Sequence, residues 1–298
     1  MAGLSILIPI FNRDVAELVH ALVAQAPAWP GPIEIRLLDD GSTEHCRVSN
    51  RPLAALPGVA YQELARNVGR TAVRNQLVAS AKQEWVLLLD NTSQVPDGHY
   101  LARYAAALGP APVVAGGVRY AAQAPTEPAL RLRWLYGCQR EARTLAQRQA
   151  APYDQLLVNN LLLKKTVIQS FPLDESLRGY GHEDTKLGWQ LAAAGMPIQH
   201  LDNPIIHAGL ETAAAFLVKS EQAVYNFARL LREGDFGKNS RLAQTARRLQ
   251  GVRLAAVAQA ALTLSEPLLR YNLLSNSPSV KALDALKLLW LLRARIGS

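Results

Sequence analysis

Residues 4–10, Leu-Ser-Ile-Leu-Ile-Pro-Ile, are apolar at nearly every position, the pattern of a strand buried on both faces. After the turn Phe11-Asn12-Arg13, Asp14 and Glu17 open an amphipathic segment that predicts a helix to about residue 26. A Pro-rich loop follows, then a second apolar run at 33–38 that ends in Asp39-Asp40-Gly41-Ser42. A third strand is expected at 59–64, a helix at 71–81, and a fourth strand at 84–89 ending in Asp90. Strands alternating with helices predict a parallel, doubly wound sheet, where ligands bind outside the carboxyl ends of the strands. Asn12, Asp39-Asp40 and Asp90 fall at three such ends, a recurrence that helix caps alone do not explain.

Downstream the pattern is less regular. Residues 110–120 read as a strand in which Gly116-Gly117 marks a close backbone approach, and 156–163 as a buried strand carrying Asn159-Asn160. The basic stretch 131–149 fits either a solvated amphipathic helix or a lid over a binding site. Gly179-Tyr-Gly-His-Glu-Asp184 sets two adjacent carboxylates after two glycines and before a helix that stops at Gly195 and Pro197. Asp184 reads there as a helix cap or as a chemical group, and the helix dipole helps keep both carboxylates ionised. Further helices are expected at 211–232, 240–264 and 279–296. The last sets Leu288 to Leu292 beside Lys281, Lys287, Arg293 and Arg295, which suits a membrane interface, a helix folded onto the catalytic domain or a homodimer contact equally.

With 298 residues, 49% hydrophobic and 19% charged, the chain can build a large core. Cys46 and Cys138 lie far apart in no metal-ligand spacing, so a reducing compartment is the default. The run at 4–11 is too short for a signal-peptide core, and no 18-residue apolar run predicts a membrane span. The expected location is cytoplasmic. Net charge is +8, and all of it sits in the tail: residues 1–218 hold 19 basic and 19 acidic residues, residues 219–298 hold 13 and 5. Such asymmetry points to an acidic partner for the C-terminal helices, either the inner face of a membrane or nucleic acid. The lack of aromatic-interleaved basic motifs argues against nucleic acid. Neither a Gly-x-Gly-x-x-Gly after the first strand nor a Walker-type Gly-Lys-Ser/Thr is present, which disfavours Rossmann dehydrogenases and P-loop enzymes.

Six segments, in order, resemble the family 2 glycosyltransferases of the GT-A fold over roughly residues 1–210. They are Ser-Ile-Leu-Ile-Pro-Ile-Phe-Asn12, Leu-Leu-Asp-Asp-Gly-Ser42, Asn67-Val-Gly-Arg-Thr-Ala-Val-Arg-Asn75, Glu84-Trp-Val-Leu-Leu-Leu-Asp90 with Pro96, Asn159-Asn160, and Gly-Tyr-Gly-His-Glu-Asp184. The last also resembles the acceptor-side motif of β1,4-galactosyltransferases and chondroitin-type polymerases. The resemblance implies an α/β GT-A domain at 1–210, with a doubly wound, mostly parallel sheet, and a basic helical extension at 211–298. It implies inverting transfer of a sugar from a nucleotide-sugar donor, UDP-linked by expectation, to a hydroxyl of a glycan or lipid-linked acceptor. Pro9 and Phe11 would line the nucleotide pocket, and Asp40, backed by Asp39, would read the uracil ring. Asn67, Arg70, Asp90 and Asn91 would lie about the base, ribose and diphosphate, and Asn160 would contact the donor sugar. Asp184 would be the general base, with Glu183, Gly181 and His182 on the acceptor.

The resemblance breaks after the fourth strand. The family usually carries Asp-x-Asp there, its second Asp binding Mg2+ or Mn2+, whereas this chain reads Asp90-Asn91-Thr92. Hard cations favour charged oxygens, so the expected site shrinks to Asp90 with His207, which resembles the family's late metal-binding histidine. A cation held that way would be weak and nucleotide-dependent, and Arg70, Arg178 and other loop arginines are the alternative carriers of positive charge. The missing carboxylate also keeps open a second class of function, a nucleotide- or glycan-binding protein without catalysis. The retained Glu183-Asp184 pair favours the enzyme.

Overall fold

The computed structural model describes residues 2–154, 156–177, 179–234, 237 and 240–294. Arg178, Arg295 and Ile296 lie outside the described residues. The N-terminal elements are β1 (Leu4–Ile10), α1 (Ala16–Gln25), β2 (Ile33–Asp39), α2 (Glu44–Asn50), β3 (Val59–Glu63), α3 (Arg70–Ser80) and β4 (Trp85–Leu89). Next come β5 (Ser93–Gln94), α4 (Tyr100–Ala106), β6 (Val113–Ala115), β7 (Val118–Arg119), α5 (Arg131–Tyr136), α6 (Leu145–Ala150), β8 (Asn160–Lys164) and α7 (Lys165–Ser170). The remainder is α8 (Glu183–Ala193), β9 (Ile198–His200), β10 (Ile205–His207), α9 (Ala213–Glu233), α10 (Arg241–Gly251), α11 (Ala255–Leu273) and α12 (Val280–Arg293). Contacts group these into two units, one of residues 1–121, 140–176 and 183–209, the other of 122–139, 177–182 and 210–298.

The first unit is built on a seven-stranded sheet in the order β3-β2-β1-β4-β8-β6-β9. Strand β8 runs antiparallel to both neighbours, and every other pair is parallel. The near-continuous apolar runs have a simple cause. Ile6, Ile8 and Ile10 enter the core on one face, while Leu7 enters a separate core on the other. In β4, Trp85, Leu87 and Leu89 face the first core, and Val86 and Leu88 the second. Each such side chain contributes about 1.5–3 kcal/mol when fully buried. A small second sheet, β5-β10-β7, completes the unit.

Three expectations change. The strand expected at 110–120 is two strands in different sheets, broken at Gly116-Gly117. A Cβ at Gly116 would lie 2.3 Å from Tyr104 Oη and 2.4 Å from Asn160 Nδ2, so only glycine fits the approach. The strand expected at 156–163 begins only at Asn160, because that residue is a brace. Its Oδ1 accepts from the hydroxyls of Tyr100 (2.5 Å) and Tyr104 (2.7 Å), and its Nδ2 donates to the carbonyls of Gly117 (2.7 Å) and Asn203 (2.8 Å). All four hydrogen-bonding positions of the amide are used. The stretch 131–149 is no single solvated helix, and Arg148 is buried against the carbonyls of Ala115, Gly116 and Leu201.

The second unit is helical. Where one helix was expected at 240–264, α10 and α11 are separated at Arg253, whose φ of 56° ends the first helix. Helix α12 packs on α11 and α9, with Leu283, Leu286, Leu289 and Trp290 fully buried. Arg270 lies over the Trp290 ring at 5.8 Å, and Lys287 over the Tyr136 ring at 4.3 Å. The last segment is thus a packing helix within its own unit, covered by α9 and α11.

Asn160→Ala strands two buried hydroxyls and two carbonyls at once. It is expected to cost about 3–5 kcal/mol, read by chemical denaturation. A cost below about 1 kcal/mol, within the range of an ordinary surface change, would show that water replaces the brace.

Candidate active site

The carboxyl ends of β1 and β2 are tied together through short polar side chains. Asn12, held at φ 49°, donates its backbone N–H to Ser42 Oγ (2.8 Å) and accepts at Oδ1 from Thr43 N–H (2.8 Å). Asp39 is fully buried, accepts from Ser42 N–H (2.7 Å) and faces Arg47 Nε at 3.5 Å. Asp40 accepts from the backbone N–H groups of Val68 (2.6 Å) and Gly69 (3.1 Å), which fixes the loop leading into α3. Gly41 permits this approach: at φ 75°, a Cβ there would lie 2.4 Å from Asn67 N. Burial raises the Asp40 carboxyl above its ordinary range despite those two donors. Asn67 and Phe11 are exposed beside this loop cluster, and Pro9 is half-buried.

Four charges meet where β4, α3 and α8 converge. Asp90 pairs with Arg74 through one oxygen and with Arg70 through the other (3.4 Å). Arg70 Nε reaches Glu183 Oε1 at 2.6 Å, and Arg74 also donates to the Arg70 carbonyl (3.0 Å). Two cations and two anions thus neutralise one another. Burial alone would raise both carboxyls, but the arginines outweigh it, holding Asp90 at about 2 and Glu183 below its usual range.

Asp184 has no such partner among the described residues. The half-buried carboxylate accepts from Thr185 N–H (2.7 Å) in the first turn of α8. Burial, then the neighbouring Glu183 charge, push it up to about 7. The helix dipole, expected to keep it ionised, is outweighed by desolvation. Asp184 is also not a cap, since α8 begins one residue earlier, at Glu183.

The group expected to hold a cation is assembled differently. His207, at the end of β10, lies with Nδ1 3.3 Å from Thr92 Oγ1, while both Asp90 oxygens face arginines. Among the described residues no cluster of three His, Cys, Asp or Glu side chains could hold a metal ion. This donor set does not fit a resident divalent cation, which prefers several charged oxygens. Beside Thr92 stands a basic side chain, Arg13, that reads in the sequence merely as part of a turn. A Cβ at Gly209 would lie 2.2 Å from Thr92 Cγ2 and 3.1 Å from Arg13 Nη1, so all three converge on one point. Arg13, Asn91 and Thr92 line a cleft of about 130 Å³, and the Arg13 guanidinium has no partner among the described residues. Its place directly after the first strand's Asn12 was the available signal.

Other expected residues are dispersed. Asn160 is consumed by its brace, whereas the Oδ1 of Asn159 is buried without a hydrogen-bond partner among the described residues. Asn91 Nδ2 approaches the Phe11 carbonyl at 3.5 Å. Gly181 and His182 belong to the second unit, where the His182 ring stacks on Phe227 at 5.0 Å.

A sheet with acidic and basic groups gathered at its strand ends, flanked by helices, defines a GT-A-type glycosyltransferase scaffold. A sequence profile of glycosyl transferase family 2 matches residues 5–159, just over half of the chain, and the protein belongs to that family. It is 34% identical over 95 residues to the dodecaprenyl-phosphate galacturonate synthase of Rhizobium johnstonii (strain DSM 114642 / LMG 32736 / 3841). That match spans 30% of this chain and only 28% of the relative. Among solved structures, mannosyltransferase PcManGT from Pyrobaculum calidifontis, in complex with GDP-Man and Mn2+, aligns with a TM-score of 0.57 at 16% identity, covering 95% of this chain and 78% of that one. S. aureus TarS 1-349 in complex with UDP-GlcNAc aligns at 0.52 and 14% identity, covering 99% and 90%. Glucosyl-3-phosphoglycerate synthase from Mycobacterium tuberculosis, with Mn2+, UDP-Glc and phosphoglyceric acid, aligns at 0.53 and 15% identity, covering 76% and 79%. At these identities the likeness establishes the fold, a mixed α/β GT-A architecture followed by C-terminal helices.

The pH dependence of Asp184 yields a sign. Its carboxyl binds a proton more tightly folded, at about 7, than unfolded, at about 4. Ionising it therefore destabilises the fold progressively from pH 4 to 7, and fully above that. Asp184→Asn is expected to be more stable than the wild type at pH 8, by roughly 2–4 kcal/mol, with the gain fading towards pH 4. Denaturation curves at pH 5 and pH 8 check this; equal differences at both would contradict it.

Proposed function

We propose that the protein is an inverting glycosyltransferase that moves a sugar from a UDP-linked donor to a hydroxyl of a glycan or lipid-linked acceptor. The observation that carries the reading is Asp184, next to Glu183 at the start of α8, unpaired by any arginine and titrating near neutrality. A general base works best with a pKa near the working pH, when it is substantially ionised yet still attracts a proton. In this reading Asp184 takes the proton from the acceptor hydroxyl as that oxygen attacks the anomeric carbon. One displacement inverts the centre. Glu183, fixed by Arg70, holds the acceptor sugar, in keeping with the likeness of Gly-Tyr-Gly-His-Glu-Asp184 to acceptor-side motifs; the same likeness alone supports Gly181 and His182. Residues 1–210 carry the chemistry, and 211–298 form an extension.

On the donor side, Asp40 has lone pairs left for the uracil N3–H beyond the two backbone donors it already serves, and Asp39 supports it. Pro9, Phe11 and Asn67 border that pocket, with Asn91 and Asp90 beside the ribose. The partial match to a dodecaprenyl-phosphate galacturonate synthase, whose name carries a lipid phosphate, supports a lipid in the acceptor but not a hydroxyl. A phosphate acceptor, being already ionised, needs no base, so Asp184 favours a hydroxyl. A binding protein without catalysis would gain nothing from the cost of keeping Asp184 so close to Glu183.

Asp184→Asn is expected to lower kcat by about a thousandfold or more while leaving UDP affinity within about twofold, because the base acts in the transition state. The wild-type rate should rise with pH through about 7 as Asp184 ionises. A variant that keeps most of its turnover would reduce Asp184 to a structural residue.

Charge on the leaving diphosphate falls to Arg13 in this proposal, with Arg70 and Arg74 neutralised by their carboxylates. Free protein is expected to bind Mn2+ weaker than micromolar in calorimetry. Arg13→Met should weaken UDP at least tenfold, the effect of one hydrogen bond to a charged group, yet leave uridine unchanged. Equal losses for UDP and uridine would remove Arg13 from the diphosphate.

A further inference from the structure

Helix α11 has an outer face with no charge on it. Its only charged residues are Glu266 and Arg270, which pair with each other at 2.8 Å, and Glu266 pairs again with Arg293 at 2.8 Å. Val257, Leu264, Leu268 and Tyr271 are 63%, 82%, 74% and 78% exposed. Their spacing of seven, four and three residues places them along one side of the helix. Leu254 and Leu274 extend the stripe at either end. Contiguous apolar surface of this extent marks an interaction site.

Charge selects the occupant. Arg247, Arg248 and Arg253 precede the stripe, are exposed, and have no ion-pair partner among the described residues. The whole net charge of +8 lies within residues 219–298. Two copies meeting through this face would bring like charges together, whereas an anionic bilayer offers acyl chains to the stripe and headgroups to the arginines. Tyr271 suits the boundary between the two. No helix among the described residues is long and apolar enough to cross a membrane, so α11 would lie in the interface plane.

We infer that α11 docks the protein on an anionic lipid surface through Leu264, Leu268 and Tyr271, with Arg247, Arg248 and Arg253 supplying the electrostatic attraction. This placement is independent of the transfer reaction and falls on a helix different from α12, whose Trp-Leu run is spent in packing.

The test is co-sedimentation of the full chain with phosphatidylglycerol/phosphatidylcholine vesicles, with pure phosphatidylcholine vesicles as the comparison. Wild type should pellet with the anionic vesicles at least tenfold better than with neutral ones, and less so as salt is raised. Leu264→Glu/Leu268→Glu should lose at least tenfold in vesicle affinity with an unchanged circular dichroism spectrum, since both side chains are exposed. Arg247→Gln/Arg248→Gln/Arg253→Gln should weaken binding several-fold and flatten its salt dependence. Wild type that stays in the supernatant, or a Glu variant that pellets as well, would overturn the inference. So would a dimer in light scattering that the Glu variant dissolves, because the face would then be covered by a second copy.

Discussion

The pairing of Arg70 and Arg74 with Asp90 and Glu183 is the constraint on which the site rests. Four charges largely removed from water would be untenable singly, since each isolated ion costs several kcal/mol to desolvate. Together they are neutral, and they fasten the end of β4, the first turn of α3 and the start of α8 to one another. Removing either arginine leaves two buried carboxylates to share one cation, a change that acts on architecture and chemistry together. The cluster also determines what is left over. Glu183 is locked as an anion, and its fixed negative charge is one reason Asp184 resists ionisation.

Much of the first half was legible in the sequence, for a physical reason. Strands β1 and β4 are buried on both faces, so their runs are almost wholly apolar, whereas Glu34 and Arg36 interrupt β2 and the edge strand β3 is half-exposed. Asn12, Asp40 and Asp90 could be placed at strand ends from that alone. The remainder of the sheet was harder to read. Strands β6 and β9 are three residues each, too short for periodicity to register, and β8 runs against its neighbours. Asn160 and Arg148 show the limit at single positions. Polarity in an apolar setting signals function or internal satisfaction, and only the list of partners tells them apart. The C-terminal helices misled differently: α12 is apolar on most sides because it is covered, and α11 carries its apolar residues outward.

Neutrality at the cluster and an unpaired Arg13 in the nearby cleft describe a division of labour between basic residues. Arg70 and Arg74 are structural cations, held by carboxylates that leave them little reach. Arg13 sits on the turn after β1, beside a threonine whose hydroxyl lies 3.3 Å from His207 Nδ1. On the proposed function, Arg13 would offer the diphosphate a fixed fork of donors.

The reversed strand β8 has a consequence for how this chain can vary. Leu89 and Asn160 are paired neighbours in the sheet, so the chain between them, β6 included, starts and ends at adjacent positions. Such an excursion behaves as an insertion: its closure entropy grows only slowly with length, and its two ends are stapled by strand pairing whatever it contains. Parts of residues 90–159 are committed: Asp90 belongs to the four-charge cluster, Tyr100 and Tyr104 hold the Asn160 brace, and β6 is a strand of the same sheet. Changes in length therefore fall to the loops between these elements, and novelty in what this scaffold recognises has its room there.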